Sequence, residues 1–261
     1  MEKFHCLTSP GMRTGLLIRV GIDCTAGGWN APCGDDGRFC YIPMGPSHGR
    51  DGLTKHYDSA YRPYERAVSA FVPASAPRRV HWPDRLPRVG HFDPDFKNLT
   101  YGDCGQRAAR IRDVLSHADR SFIVFYAGLR SIHTGELCYS IIGFYSVDRV
   151  MPGPSVRRAD WHRNAHTKDG GCSDEGTVVV FARRGDSGRL LHHIPIGTYR
   201  RKAYRVKPKL LDEWGGLDVS GGYIQRSVFL PCFLNGDRFL RWFERQNPVL
   251  IRENNHKDRD A

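Results

Sequence analysis

Apolar residues along this chain fall into a few short, dense runs, separated by long stretches rich in glycine, proline and charge. The first run, Gly15–Asp23 (GLLIRVGID), is branched and apolar and predicts a buried strand. It opens into a glycine-rich loop, CTAGGWNAPCGDDGR, after which Phe39–Pro43 predicts a second short strand. Asp103 stands in the N-cap position before GQRAARIRDVLSHAD, where Ala108, Ile111 and Leu115 recur at helical spacing. Residues 105–118 therefore predict an amphipathic helix, with Arg107, Arg110 and Arg112 on its solvated flank. Ser121–Ala127 and Leu137–Val147 predict a β-hairpin around the turn-rich GLRSIHTGE, and Thr177–Arg183 predicts a fifth strand. Lys209–Trp214 starts a short helix, and Asp237–Arg245 forms a longer one with Phe239, Leu240 and Phe243 on one face. Residues 45–65, 73–98 and 152–176 carry no period and read as irregular. Residues 1–14 read as a flexible leader and 251–261 as a disordered tail, leaving a single domain over 15–250.

Charge narrows the partners. Among 261 residues, 39 Lys+Arg face 28 Asp+Glu, a formal excess of +11. Arginine dominates, with 31 against 8 lysines, and guanidinium groups match phosphate oxygens in pairs and stack on bases. Nucleic acid is the expected partner, with no obligate protein partner evident. No apolar run approaches the length that spans a bilayer, and the first residues lack the apolar core of a signal peptide, so a cytoplasmic chain away from membranes is expected. The eight cysteines include no pair at the two-residue gap of a zinc knuckle or redox motif, so neither metal nor cofactor is expected.

The loop Gly21-Ile22-Asp23-Cys24-Thr25-Ala26-Gly27-Gly28-Trp29-Asn30 is the foremost candidate for chemistry. An acid at the exit of a buried strand, followed by glycines, lets a ligand approach the backbone. Amides of Gly27 and Gly28, with Thr25 beside them, offer an anion nest; Trp29 offers a stacking face and Asn30 a bidentate amide. The plainer alternative has Asp23 capping the loop and Trp29 plugging the core. Tyr101-Gly102-Asp103, preceded by His91-Phe92-Asp93, supplies a second acid, although Asp103 as a helix cap competes with that role. Asn164 and His166 lie in a polar loop beside Trp161 and Arg163, where His166 could donate a proton to a leaving base. Gln225 and Arg226 could meet a groove, though strand alternation would send them to opposite faces; Tyr126 is either core or a stacking platform. Tyr57, Tyr61 and Tyr64, mixed with Arg62 and Arg66, read as a flexible loop suited to insertion beside a flipped base or as a folded lid.

Four stretches, LLIRVGIDCTAGGWNAP, HFDPDFKNLTYGD, SFIVFYAGLR with SIIGFYSV, and GGYIQRSVFLPCFL, together resemble the third of the nucleotide modification associated domains. That resemblance runs from about residue 15 to 246 and implies traffic with modified bases in bacterial and phage DNA. The middle hairpin is also similar to reader domains of the EVE and PUA-like superfamily, which hold a flipped base in a small barrel. The fold class is therefore α+β: a single domain with a mixed, partly barrel-like central sheet, flanked by a few helices and long loops.

Cleaving an N-glycosidic bond develops positive charge on the sugar, which a nearby carboxylate stabilises while it orients water. Gly21-Ile22-Asp23 loosely resembles the G-x-D setting of uracil-type glycosylases. The leading expectation is a DNA glycosylase that flips a hypermodified pyrimidine, with Asp23, Asn30 and His166 catalytic. The alternatives are a non-catalytic reader of modified bases and a base-hypermodifying transferase, though no nucleotide-sugar or methyl-donor motif is visible. The arginine excess predicts that DNA affinity falls roughly tenfold or more between about 50 and 200 mM salt. A flat salt response in a binding titration would remove nucleic acid as the partner.

Overall fold

The computed structural model describes residues 11–21, 29–42, 62–82, 92–168, 170–226 and 228–254. Ten strands and four α-helices lie within them. The apolar run at the start forms β1 (Thr14–Arg19), which pairs in parallel with β4 (Ser121–Ser131). The expected hairpin is present: β4 runs antiparallel to β5 (Leu137–Pro152), the longest strand. Along β4, alternation divides the side chains between two cores. Ile123, Phe125, Ala127 and Leu129 face one, and Phe122, Val124 and Tyr126 face the other.

A long strand shared by two neighbours shapes the sheet. The first part of β5, Ser140–Phe144, pairs with β7 (Gly188–Pro195), whereas Val147–Pro152 pairs with β6 (Thr177–Ala182). Register shifts fall at Ile141/Gly143 and at Val147/Arg149, and bulges of this kind bend the strand that carries them. The edge strand β3 (Thr100–Cys104) completes the order β1-β4-β5-β6-β3. In a flat sheet β3 would lie about 14 Å from β4, three strand spacings away. Instead the Tyr101 ring sits 5.3 Å from that of Phe125 on β4, so the β6–β3 pair folds back over the sheet. The result is mixed and curled, and it does not close into a barrel among the described residues.

The helices match the sequence pattern closely in two places. Pro208–Trp214 forms a short helix, and Gly236–Arg245 buries Phe239, Leu240, Trp242 and Phe243 beneath it, with Asn235 accepting a capping hydrogen bond from the Arg238 amide. These two, called α3 and α4, cover the second core. The helix expected over 105–118 is α2, Gly105–Val114, closed off at Leu115. Its N-cap is Cys104, not Asp103: pairing with β6 keeps Asp103 inside β3, so its carboxylate is spent elsewhere. The arginines expected on a solvated flank are engaged as well. Arg107 pairs with Asp103, Arg110 with Asp218, and Arg112 donates to the Glu175 carbonyl.

Other segments depart from the sequence reading. Arg62–Phe71 is a helix (α1), which turns Tyr64 from a loop residue into one packed against Phe92; Tyr57 and Tyr61 lie outside the described residues. Of Phe39–Pro43, Phe39 makes only an isolated bridge to Cys33 in the two-residue β2 (Pro32–Cys33). Residues 188–206, unassigned from sequence, supply β7 and a hairpin of β8 (Gly197–Arg200) and β9 (Ala203–Val206). The tail is ordered further than expected: β10 (Leu250–Ile251) pairs with β7, and Asn254 receives the Phe96 amide and donates to Asp95. Residues 1–10 and 255–261 lie outside the described range.

Phe239 anchors the second core, fully buried against Phe122, Phe233, Trp214, Trp242 and Phe243. Phe239→Ala should destabilise the fold by about 3–5 kcal/mol through the cavity it leaves. Chemical denaturation measures this, and a loss under about 1 kcal/mol would show that this aromatic cluster does not hold α4 to the sheet.

Candidate functional site

Strand β3 reads TYGDC, and the period of two places Tyr101 and Asp103 on one face and Thr100, Gly102 and Cys104 on the other. On the first face the buried Tyr101 hydroxyl donates to Asp103 Oδ2 at 2.5 Å. Arg107, one helical turn into α2, donates Nε to the same oxygen at 2.7 Å and Nη2 to the Tyr101 oxygen at 2.9 Å. Burial, with Asp103 close by, pushes the Tyr101 phenol well above its ordinary value, so it serves as a neutral donor. Asp103 is thereby held as an oriented carboxylate.

The segment carrying Asn164 and His166 passes along β3. Thr100 donates its hydroxyl to the Arg163 carbonyl, and Asn164 Nδ2 donates to Thr100 Oγ1. Asn164 is almost fully buried and its Oδ1 receives the His166 amide at 2.9 Å, which fixes the histidine backbone. The His166 ring then lies against the Gly102 backbone, so close that a Cβ on residue 102 would be 2.3 Å from His166 Cδ2. Glycine is required here by contact rather than by a positive φ.

Asp93 completes the arrangement. Its Oδ1 accepts the Gly102 amide at 2.7 Å and its Oδ2 lies 3.1 Å from His166 Nε2. Burial alone would lower the imidazole's affinity for a proton. The hydrogen bond that Asp93 accepts from the ring, its charge and the charge of Asp103 outweigh that, and the His166 pKa is raised above 6.5. An enclosed imidazole whose hold on its proton is strengthened by a hydrogen-bonded carboxylate has the chemistry of a general acid.

Sequence reasoning nominated Tyr101, Asp103, Asn164 and His166 from separate segments, and the fold brings these four together. It missed Asp93 as a partner of His166 and Arg107 as the holder of Asp103. The acid–arginine spacing of four residues was a readable signal for the second pair; nothing local marked the first.

The other nominees are placed differently. Asp23, Thr25, Gly27 and Gly28 lie outside the described residues. Trp29 is buried with Val68, Val72 and Val80, edge-on to Trp82 at 5.5 Å, so it packs in the core instead of offering a face to a base. Asn30 is also buried: its Nδ2 donates to the Gly128 carbonyl at 2.6 Å and its Oδ1 accepts from Arg130, so its amide braces β4. Tyr126 is core, its hydroxyl donating to the Ile224 carbonyl. Gln225 accepts the Tyr204 amide through its side chain and an Arg19 hydrogen bond through its carbonyl, an anchoring role; Arg226 is exposed.

The six described cysteines are free thiols, and burial pushes Cys33 and Cys40 up to about 12, far from nucleophilic thiolates. No group of three or more His, Cys, Asp or Glu among the described residues is placed to hold a metal ion, and no described helix is long and apolar enough to cross a membrane.

The folded chain holds the His166 proton more tightly than an unfolded chain would. The Asp93–His166 pair therefore stabilises most below pH 6.5, and that contribution is lost as pH rises through the raised pKa. Asp93→Asn should lower the His166 pKa, read by NMR titration of the ring, and Gly102→Ala should do the same by displacing it. An unchanged pKa in Asp93→Asn would show that the carboxylate is not its cause.

No curated protein and no solved structure matches the chain. The model of the family described as nucleotide modification associated domain 3 matches residues 14–218, a span that includes β1, the loop after it and all of the Asp93–His166 cluster, and ends before GGYIQRSVFLPCFL. The match covers well over half of the chain, which therefore belongs to the nucleotide modification associated domain 3 family.

Proposed function

We propose that this protein is a DNA glycosylase acting on hypermodified pyrimidines, such as glucosylated hydroxymethyl bases of phage DNA, as an antiphage defence. The observation that carries the reading is His166 packed against the edge strand β3 and hydrogen-bonded to Asp93, with its pKa raised above 6.5. Base flipping brings the glycosidic bond to this cluster. His166 gives its proton to the departing base as the bond from the sugar C1′ breaks, and Asp93 stabilises the imidazolium until then. The sugar is left with oxocarbenium character, and the carboxylate we assign to stabilise it is that of Asp23, four residues beyond β1 in the sequence. Water adds its oxygen to C1′, its proton passes to that carboxylate, and an abasic site remains. The family membership and the +11 charge both support nucleic acid as the substrate class. A non-catalytic reader of modified bases would use the same cluster but release nothing.

Incubation with unmodified, hydroxymethylated and glucosylated phage DNA, followed by alkaline cleavage, tests this. Strand breaks should appear with the modified DNA. Turnover should decline as pH rises through the His166 pKa, and Asp93→Asn should move that decline to lower pH. Asp23→Asn should reduce turnover by roughly a hundredfold or more while binding survives, on the scale of a lost electrostatic stabiliser. Full base release by Asp23→Asn would end its assignment as the acid. Tight binding of modified DNA with no breaks would favour the reader.

A further inference from the structure

The β8–β9 hairpin sends Val206 and Tyr204 into the second core and carries a concentration of positive charge on the rest of its length. Its ten residues, Gly197–Val206, include Arg200, Arg201, Lys202 and Arg205 and no acid. None of these four cations forms an ion pair with a described carboxylate; Arg200 and Arg205 donate instead to the carbonyls of Gly221 and Ser220, which leaves their charge uncompensated. Glu136 and Arg130 act on Tyr204 in opposite senses. The tip is a two-residue connection between the paired Arg200 and Ala203, with Arg201 at φ 50° and Lys202 at φ 59°. Both positions are left-handed, where Asn-Gly is the unstrained choice, yet two exposed cations occupy them.

The hairpin is also firmly mounted. Tyr204 stacks on Tyr139 of β5 with ring centroids 4.1 Å apart, and Arg19 at the end of β1 donates to the Tyr139 hydroxyl at 2.9 Å. Gln225 ties the Tyr204 amide to the same arginine. On the outer side, Tyr199 meets Tyr204 edge-on and remains 62% exposed, a large aromatic face in solvent beside two cations. An exposed aromatic interleaved with unpaired positive charge on a rigid two-stranded ribbon fits a polyanion that also presents flat rings.

We infer that this hairpin is the element by which the protein grips duplex DNA, its Arg201-Lys202 tip on backbone phosphates and its Tyr199 ring against a sugar or base. The inference rests on the nucleic-acid reading above and adds the contact surface to it. Because β1 anchors the hairpin at the strand's end, a duplex held there lies beside the exit of β1, where the glycine-rich segment begins.

The decisive variant is Arg201→Asn with Lys202→Gly, which removes both tip charges while supplying the residues that such a turn favours, so the hairpin keeps its fold. Binding of a short fluorescein-labelled, unmodified DNA duplex is followed by anisotropy across a salt series, alongside thermal melting. The double variant should melt at or above the wild-type temperature, bind roughly tenfold or more weakly at low salt, and show a log–log salt slope shallower by about 1.8. Tyr199→Ala should weaken binding roughly fivefold or more with the slope unchanged. If the wild type binds with a steep slope and the double variant matches it, the hairpin assignment falls while the nucleic-acid reading stands. If the wild type shows no salt-dependent binding at all, both fall together.

Discussion

The bend in β5 is the constraint from which the other features follow. One strand bonds to β4 and β7 along its first half and to β6 along its second, so the irregularity near Val147 turns one sheet back over itself. That fold encloses a core in which Tyr101 and Phe125, three strands apart in hydrogen-bonding order, touch. It also sets β3 at the edge of the sheet, with β6 as its one strand neighbour among the described residues. An edge strand has room beside it, and the segment through Asn164 and His166 occupies that room.

The charges of the site are organised by the same strand. Asp103 is held by hydroxyl and guanidinium donors from Tyr101 and Arg107, so its carboxylate is paired and oriented. Asp93 is held by a backbone amide and gives its second oxygen to His166. Two carboxylates thus share one neighbourhood without both facing each other, because each has its own positive or hydrogen-bonding partner. The imidazole gains from both. Their effect outweighs the loss of proton affinity that burial alone would bring.

Opposite in character is the β8–β9 hairpin, where Arg200 and Arg205 have carbonyl partners and none of the four cations meets a described carboxylate. Charge balanced within the fold suits proton transfer, whereas charge left unbalanced at a surface suits a polyanion. The stack of Tyr204 on Tyr139, braced by Arg19, links that surface to β1. Arg19 is itself 4% exposed within an otherwise apolar strand, and its role in that brace explains why a cation interrupts the run.

What the sequence determined by itself was local. Branched apolar runs specified β1, the β4–β5 hairpin and β6, and helical spacing specified α2, α3 and α4, because each pattern needs only its own near neighbours to decide which face is buried. The motif-bearing segments around residues 93, 101–103 and 164–166 were legible as polar and unusual, and family membership was legible in the long first motif. Tertiary structure alone decided the rest. Short, charged β3, β8 and β9 owe their strand form to pairing partners elsewhere in the chain, not to their own residues. Trp29 and Asn30 carry the right chemistry for a base pocket, yet long-range packing against Trp82 and Gly128 takes them into the interior. Asp93 meets His166 across 73 residues of chain, and Asp103 leaves its cap for a strand, because contacts at that separation are set by the bent sheet and by the missing Cβ of Gly102.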